Sequence, residues 1–188
     1  MNIPTLKECR KLMANMRMMK HIVSHSEQVC RVACHLADEL ARHNGLRLNR
    51  VVVQAGALLH DITKTRSFDT GENHAQTGAL LVEELGFSEV GTIIRQHVVL
   101  DDYLSSESLT EAEIVNYSDK RVLHDRIVSL PVRMEYILKR YGKTLCDRQR
   151  VFHLWDKTRG LEARLFSNLT YTPDELPERL NGSGPTER

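Results

Sequence analysis

Apolar residues recur along this chain at intervals of three and four, the spacing that lays them on one face of a helix. In "PTLKECRKLMANMRMM" the residues Leu6, Cys9, Leu12, Met13 and Met16 share a face, and Thr5 precedes Glu8 by three, the reciprocal pattern that opens helices. A second box, Ser24-x-x-Glu27, precedes Val29, Val32, Ala33, Leu36, Ala37 and Leu40, with Gly45 as the stop. "NRVVVQAGALLHD" follows a cap at Asn49 and is apolar on nearly all sides, which marks a central, buried helix. Asn73 and Gly86 bound the next helix, Ser88 caps "EVGTIIRQHVV", and Thr110-x-x-Glu113 opens "EAEIVNYSDKRVLH". "SLPVRMEYILKRYG" and "DRQRVFHLWDKTRGLEARLFSNL" are two further helices. No segment alternates apolar and polar residues as a half-buried strand does. The pattern predicts an all-α helical bundle, one domain over residues 1–170, and a mobile C-terminal tail over residues 171–188.

Composition narrows the partners. The 188 residues carry 26 basic and 25 acidic side chains, a net charge of +1, so no overall field draws a polyanion and no nucleic acid is expected. No apolar run reaches membrane-spanning length and the N-terminus lacks a signal-like core, so no membrane contact and a cytoplasmic location are expected. Cys9, Cys30, Cys34 and Cys146 form no CxxC pair and read as reduced thiols, three of them on helical faces. An oligomer is compatible with all of this.

The chemistry lies where ionisable residues interrupt apolar stripes. "LLHDITK" ends one of the most hydrophobic segments in His60 and Asp61, with Lys64 three residues on. A buried carboxylate is costly unless paired, so Asp61 requires a metal ion or a basic side chain beside it. His25 shares a face with Val29 and Ala33, His97 with Ile93 and Ile94, Asp119 with Val115 and Val122, and His74 opens its helix beside Asn73. Singly, each reads as a hydrogen-bonded core residue or a cap. Together, six such residues, at the ends or inward faces of separate helices, suit a metal site built between facing helices, with imidazole and carboxylate ligands for Fe, Mn, Co, Ni or Zn. His21 is assigned to the connection before Ser24, and His35, His43, His124 and His153 to surface or capping positions.

Three stretches in order, "SHSEQVCRVA", "LLHDITK" and "NYSDKRV", resemble the motifs of the HD-domain superfamily of metal-dependent phosphohydrolases, over roughly residues 20–125. "HAQTGALLVEELGF" and "IIRQHVV" between them resemble the HDIG-type subset. Thr63 stands where that subset has glycine, and no GYP-like segment follows His97, which argues against a cyclic-di-GMP phosphodiesterase.

The resemblance implies an HD-domain helical bundle in which His25, His60, Asp61 and Asp119 hold one divalent transition metal, while His74 and His97 either complete a second metal position or contact substrate. It implies hydrolysis of a small phosphorylated substrate, a nucleotide or related phosphoester, by metal-activated water, with Asp61 and Lys64 catalytic and Lys64 and Arg66 as hands for the phosphate. Asp101 and Asp102 are further candidates to orient water or a ribose, and Lys120 and Arg121 are expected at the surface. The alternatives are an HD-type diiron oxygenase with the same ligands, and a metal-binding sensor or scaffold without turnover.

Overall fold

The computed structural model describes residues 2–103 and 108–182. Ten helices are found among them: α1 (Leu6–Asn15), α2 (Lys20–Asn44), α3 (Arg50–Leu59), α4 (Lys64–Thr70), α5 (His74–Glu84), α6 (Ser88–Gln96), α7 (Glu111–Lys120), α8 (Leu130–Tyr141), α9 (Leu145–Phe166) and α10 (Leu176–Gly182). A 3-10 turn, Pro173–Glu175, precedes α10, and one small hairpin, β1 (Val122–Leu123) against β2 (Arg126–Ile127), follows α7. The fold is all-α as expected, apart from that hairpin. Its turn places His124 at φ 57°, the left-handed region that a two-residue hairpin loop requires.

Side-chain caps explain five of the ten helix starts. Thr5 with Glu8, Thr110 with Glu113 and Thr144 with Asp147 form reciprocal capping boxes, and the Asn49 and Asn73 side chains accept from the first free N–H groups of α3 and α5. Two expected caps do not act. α6 starts without a side-chain cap, and α2 begins at Lys20, so Ser24 lies inside the helix. The Met19 N–H before α2 donates to Thr65 Oγ1 at 3.0 Å, a long-range contact that starts the helix one turn early. His21 therefore belongs to α2 and lies one turn before His25 on the same face.

α3 is the axis of the bundle, packed against α1, α2, α6 and α7, and seven of its residues are buried. Gly56 permits the closest approach: a Cβ there would stand 2.7 Å from Ile93 Cγ2 of α6. The expectation of a mobile tail from Tyr171 is corrected for residues 171–182. Tyr171, Leu176 and Leu180 are buried, and the Tyr171 hydroxyl lies 3.0 Å from His35 Nε2. Residues 183–188 lie outside the described part.

Arg121 is likewise not at the surface. At 1% exposure it bonds Tyr117 Oη at 2.6 Å, the Val128 carbonyl at 2.7 Å, the Pro173 carbonyl at 2.8 Å and Glu162 at 3.2 Å. One guanidinium thus ties α7 to the hairpin, to α9 and to the C-terminal turn.

Gly56→Ala should lower stability by about 1–3 kcal/mol through overpacking against Ile93, more than the roughly 1 kcal/mol that alanine returns to a helix interior. Denaturant melts of both proteins measure it, and a variant at least as stable as the parent would contradict the close α3–α6 approach.

Candidate metal centre

Six of the sequence-predicted residues converge from five segments. α2 supplies His25, the C-terminal end of α3 supplies His60 and Asp61, α5 opens with His74, α6 ends at His97, and α7 carries Asp119 in its last turn. His60, Asp61, His97, Asp119 and His25 are buried, and His74 is half-buried. The imidazoles form a row, with ring centroids 5.3 Å apart for His25–His60, 5.0 Å for His60–His97 and 5.1 Å for His74–His97.

Backbone carbonyls decide how three rings point. His25 Nδ1 lies 2.9 Å from the His124 carbonyl, His60 Nδ1 lies 2.7 Å from that of Ala57, and His97 Nδ1 lies 2.7 Å from that of Ile94. A carbonyl only accepts, so each Nδ1 carries the proton, and in a neutral ring Nε2 keeps a lone pair. These Nε2 atoms face carboxylate oxygens. His25 Nε2 is 3.0 Å from Asp119 Oδ1, His60 Nε2 is 3.4 Å from Asp61 Oδ2 and 3.8 Å from Asp119 Oδ1, and His97 Nε2 is 3.5 Å from Asp61 Oδ1. Lone pair opposes lone pair unless a proton or a cation stands between them.

That arrangement passes the test for a metal ion. His60 Nε2 and Asp61 Oδ1 are buried and without an aligned hydrogen-bond partner, although the surrounding space is polar. His25, His60 and Asp119 form one group of ligand atoms within 4.8 Å of one another, and His60, Asp61 and His97 form a second. His60 belongs to both. His74 adds an Nε2 atom 3.3 Å from Asp61 Oδ1 and 3.2 Å from His97 Nε2. Nitrogen and carboxylate oxygen suit the borderline divalent metals.

The electrostatics keep both carboxylates and His97 in ligand form. Burial opposes ionisation of Asp61, but the charges of His60 and Lys64 outweigh it and hold the carboxyl well below its usual range. Asp119 is held down in the same way by Lys120, His25 and Arg133 against the cost of burial. Burial pushes His97 down to about 4, so the ring is neutral at pH 7. For His60, burial works against protonation, yet the two carboxylates win and raise it. A proton and a metal ion therefore compete for the same Nε2.

Lys64 sits beside the centre, its Nζ 2.8 Å from Asp61 Oδ2, and lines a cavity of about 590 Å³ that opens over the ligands. Thr63, where glycine was the pattern, donates its hydroxyl to the His74 carbonyl at 2.9 Å and so fixes the start of α5. Arg66 is not brought to the site. It is exposed, pairs with Glu72 at 2.7 Å and does not line the cavity. Asp101 pairs with Arg95 at 2.6 Å, and with Asp102 it borders a different cavity, beside Thr92 and Glu111.

Several participants escaped the sequence reading. Lys120 is 3% exposed, its Nζ bonded to the His97 carbonyl and 3.4 Å from Asp119 Oδ2. Asn116 donates to the Gln96 and His97 carbonyls at 2.8 and 3.0 Å and anchors the end of α6. Its signal was present, since it interrupts the stripe that carries Asp119. His124 is exposed as expected, but its carbonyl clamps His25. No side-chain pattern announces a backbone acceptor. His21, placed in a connection by the sequence, lines the cavity.

A family model for the HD domain matches residues 22–159, and the chain belongs to the HD domain family. It is 25% identical to the uncharacterized protein MJ0778 of Methanocaldococcus jannaschii, over 76% of this chain and 90% of that one. It is 29% identical to a tRNA (cytidine(56)-2'-O)-methyltransferase of Picrophilus torridus over 71% of this chain, but spans only 40% of that protein. Against a Ribonuclease Y of Borreliella burgdorferi it is 33% identical over 53% of this chain, which is 18% of the relative. The crystal structure of a predicted HD superfamily hydrolase from an uncultured Thermotogales bacterium shares the fold, with TM-score 0.50, 21% identity and coverage of 88% and 94% of the two chains.

His60→Ala and Asp61→Ala should each lose bound metal while keeping the helical circular dichroism of the parent, at a stability cost of about 1–3 kcal/mol. Elemental analysis of the purified variants checks this, and full metal occupancy in either would refute the ligand assignment.

Proposed function

We propose that the chain is a metal-dependent phosphohydrolase acting on a small phosphoester, with nucleotides as the substrate class. The observation that supports it best is the charge of the cavity. Asp61 and Asp119 lie among its lining with Lys64, Lys120, Arg133 and Arg140, so the cations outnumber the carboxylates before any metal is added. With a divalent ion present the excess grows, and an anionic substrate balances it. Dioxygen would need no such excess, and for that reason the oxygenase reading is set aside. The name Ribonuclease Y speaks of phosphodiester cleavage for that relative, which accords with this choice of chemistry.

A divalent ion held by His25, His60, Asp61 and Asp119 would lower the pKa of a water and polarise a phosphoryl oxygen. The protein groups do the rest. Asp61 offers Oδ1 towards His74 and His97 while Oδ2 holds the Lys64 ammonium, so the carboxylate also aims the lysine. Burial works to lower the Lys64 pKa, but the charges of Asp61 and Asp119 raise it, and the side chain stays protonated at neutral pH. From there Nζ can donate to a phosphate oxygen without leaving Asp61. His74 and His97 would either complete a second metal position beside Asp61 Oδ1 or donate to the phosphate. The two-ion arrangement is preferred, because Asp61 has one oxygen turned to each side.

The test is a panel of nucleotides and simple phosphoesters assayed with the metal-loaded protein. Turnover of at least one phosphoester, abolished by chelation, is expected, and metal-loaded protein inert to all of them would sink the reading. Lys64→Ala should cut kcat/KM by roughly tenfold or more, the value of a charged hydrogen bond, with metal content unchanged. Equal activity would return Lys64 to a purely structural role.

A further inference from the structure

α8 builds one wall of the cavity. Leu130 and Met134 bury one side of this helix, and Arg133, Tyr136, Ile137, Arg140 and Tyr141 line the cavity from the other. The basic residues around the cavity are not equivalent. Lys64 Nζ is given to Asp61 at 2.8 Å, and Lys120 Nζ is given to the His97 carbonyl. Arg140 is exposed, and its guanidinium lies 5.7 Å from the Tyr141 ring. Arg133 also has an aromatic neighbour, its guanidinium 5.8 Å from the Tyr136 ring, but unlike Arg140 it is largely buried.

The Arg133 side chain is only 14% exposed, and its Nε is buried with no hydrogen-bond acceptor. Its Nη2 stands 3.8 Å from Asp119 Oδ1, attracted by the charge but beyond hydrogen-bond length. A buried guanidinium N–H without an acceptor is costly, and here it borders a cavity beside a metal ligand. The guanidinium fork matches two oxygens of one phosphate, which a lysine cannot do. Further out, Tyr141 of α8 and Phe68 of α4 line the same cavity while 55% and 53% exposed. Exposed aromatic faces at a mouth are suited to stack a planar group. Arg133 to Tyr141 spans eight residues, about 12 Å of helix, so the wall is longer than a phosphate alone.

We propose that Arg133 binds the substrate's phosphate alongside Lys64, and that the planar group attached to it lies along α8 between Tyr141 and Phe68. This rests on the phosphohydrolase reading and names the part of the site that selects the substrate. Calorimetric titration of the metal-loaded parent, Arg133→Met and Arg133→Lys with inorganic phosphate, alongside metal analysis, tests it. Arg133→Met should keep its metal and bind phosphate at least about tenfold more weakly, with Arg133→Lys in between. Unchanged phosphate affinity in Arg133→Met would overturn the assignment, and so would loss of metal, which would make Arg133 a support for Asp119.

Adenosine 5'-monophosphate should bind the parent more tightly than inorganic phosphate does, and Tyr141→Ala and Phe68→Ala should erase that advantage without changing the phosphate affinity. No advantage in the parent, or none lost in either variant, would refute the placement of the planar group. Because these are binding measurements, a parent that binds both ligands but hydrolyses no phosphoester would defeat the proposed reaction and leave the anion site standing.

Discussion

Three imidazoles tied at Nδ1 to backbone carbonyls, and turned Nε2-first towards two buried carboxylates, set the terms for everything around them. Each carbonyl fixes a tautomer as well as an angle, and a fixed tautomer leaves a lone pair pointing at the carboxylates. Such a cluster is costly unless a proton or a cation stands between its atoms, because a neutral imidazole nitrogen and an ionised carboxylate repel at 3.0–3.5 Å. A divalent cation held by these residues would convert that repulsion into coordination. The same cost is met in part by Lys64 and Lys120, each of which keeps one carboxylate ionised from the side.

The bundle is arranged to hold these donors still. The second half of α3, Ala55 to Leu59, is fully buried, so the position of His60 and Asp61 at its end is set by core packing and not by a loop. Asn116 and Lys120 of α7 grip the end of α6 from which His97 projects, and Thr63 grips the start of α5 from which His74 projects. Arg121 extends the grip to the far end of the chain. Its bonds to the Val128 and Pro173 carbonyls hold the hairpin, whose His124 carbonyl clamps His25, and the turn before α10. One buried side chain thereby connects the C-terminal segment to the hairpin beside the site.

Most of the candidate cluster was legible in the sequence, because an ionisable residue that would ligate a metal from a helix must interrupt an apolar stripe, and His25, His97 and Asp119 do so. The helix caps at Thr5, Asn49, Asn73 and Thr110 were legible for a similarly local reason. What could not be read was anything decided at long range. The early start of α2 depends on Thr65, 46 residues from Met19, and moved His21 into the cavity. Lys120 and Arg121 looked like surface charges, yet partners on other elements bury them. Arg66 followed Lys64 closely in sequence but turned towards Glu72. The cavity-facing side of α8 was hidden because its polar positions look like any solvated helix face until the cavity beside it is known.

The central claim, that the Nε2 atoms and carboxylates enclose a cation, is tested most directly by anomalous diffraction from crystals grown with a divalent transition metal. An ion within about 2.0–2.2 Å of His60 Nε2, with further ligands from His25 and Asp119 or from Asp61 and His97, is the predicted result. Density showing the rings bonded directly to the carboxylates with no ion between them, or an ion bound only elsewhere, would contradict it.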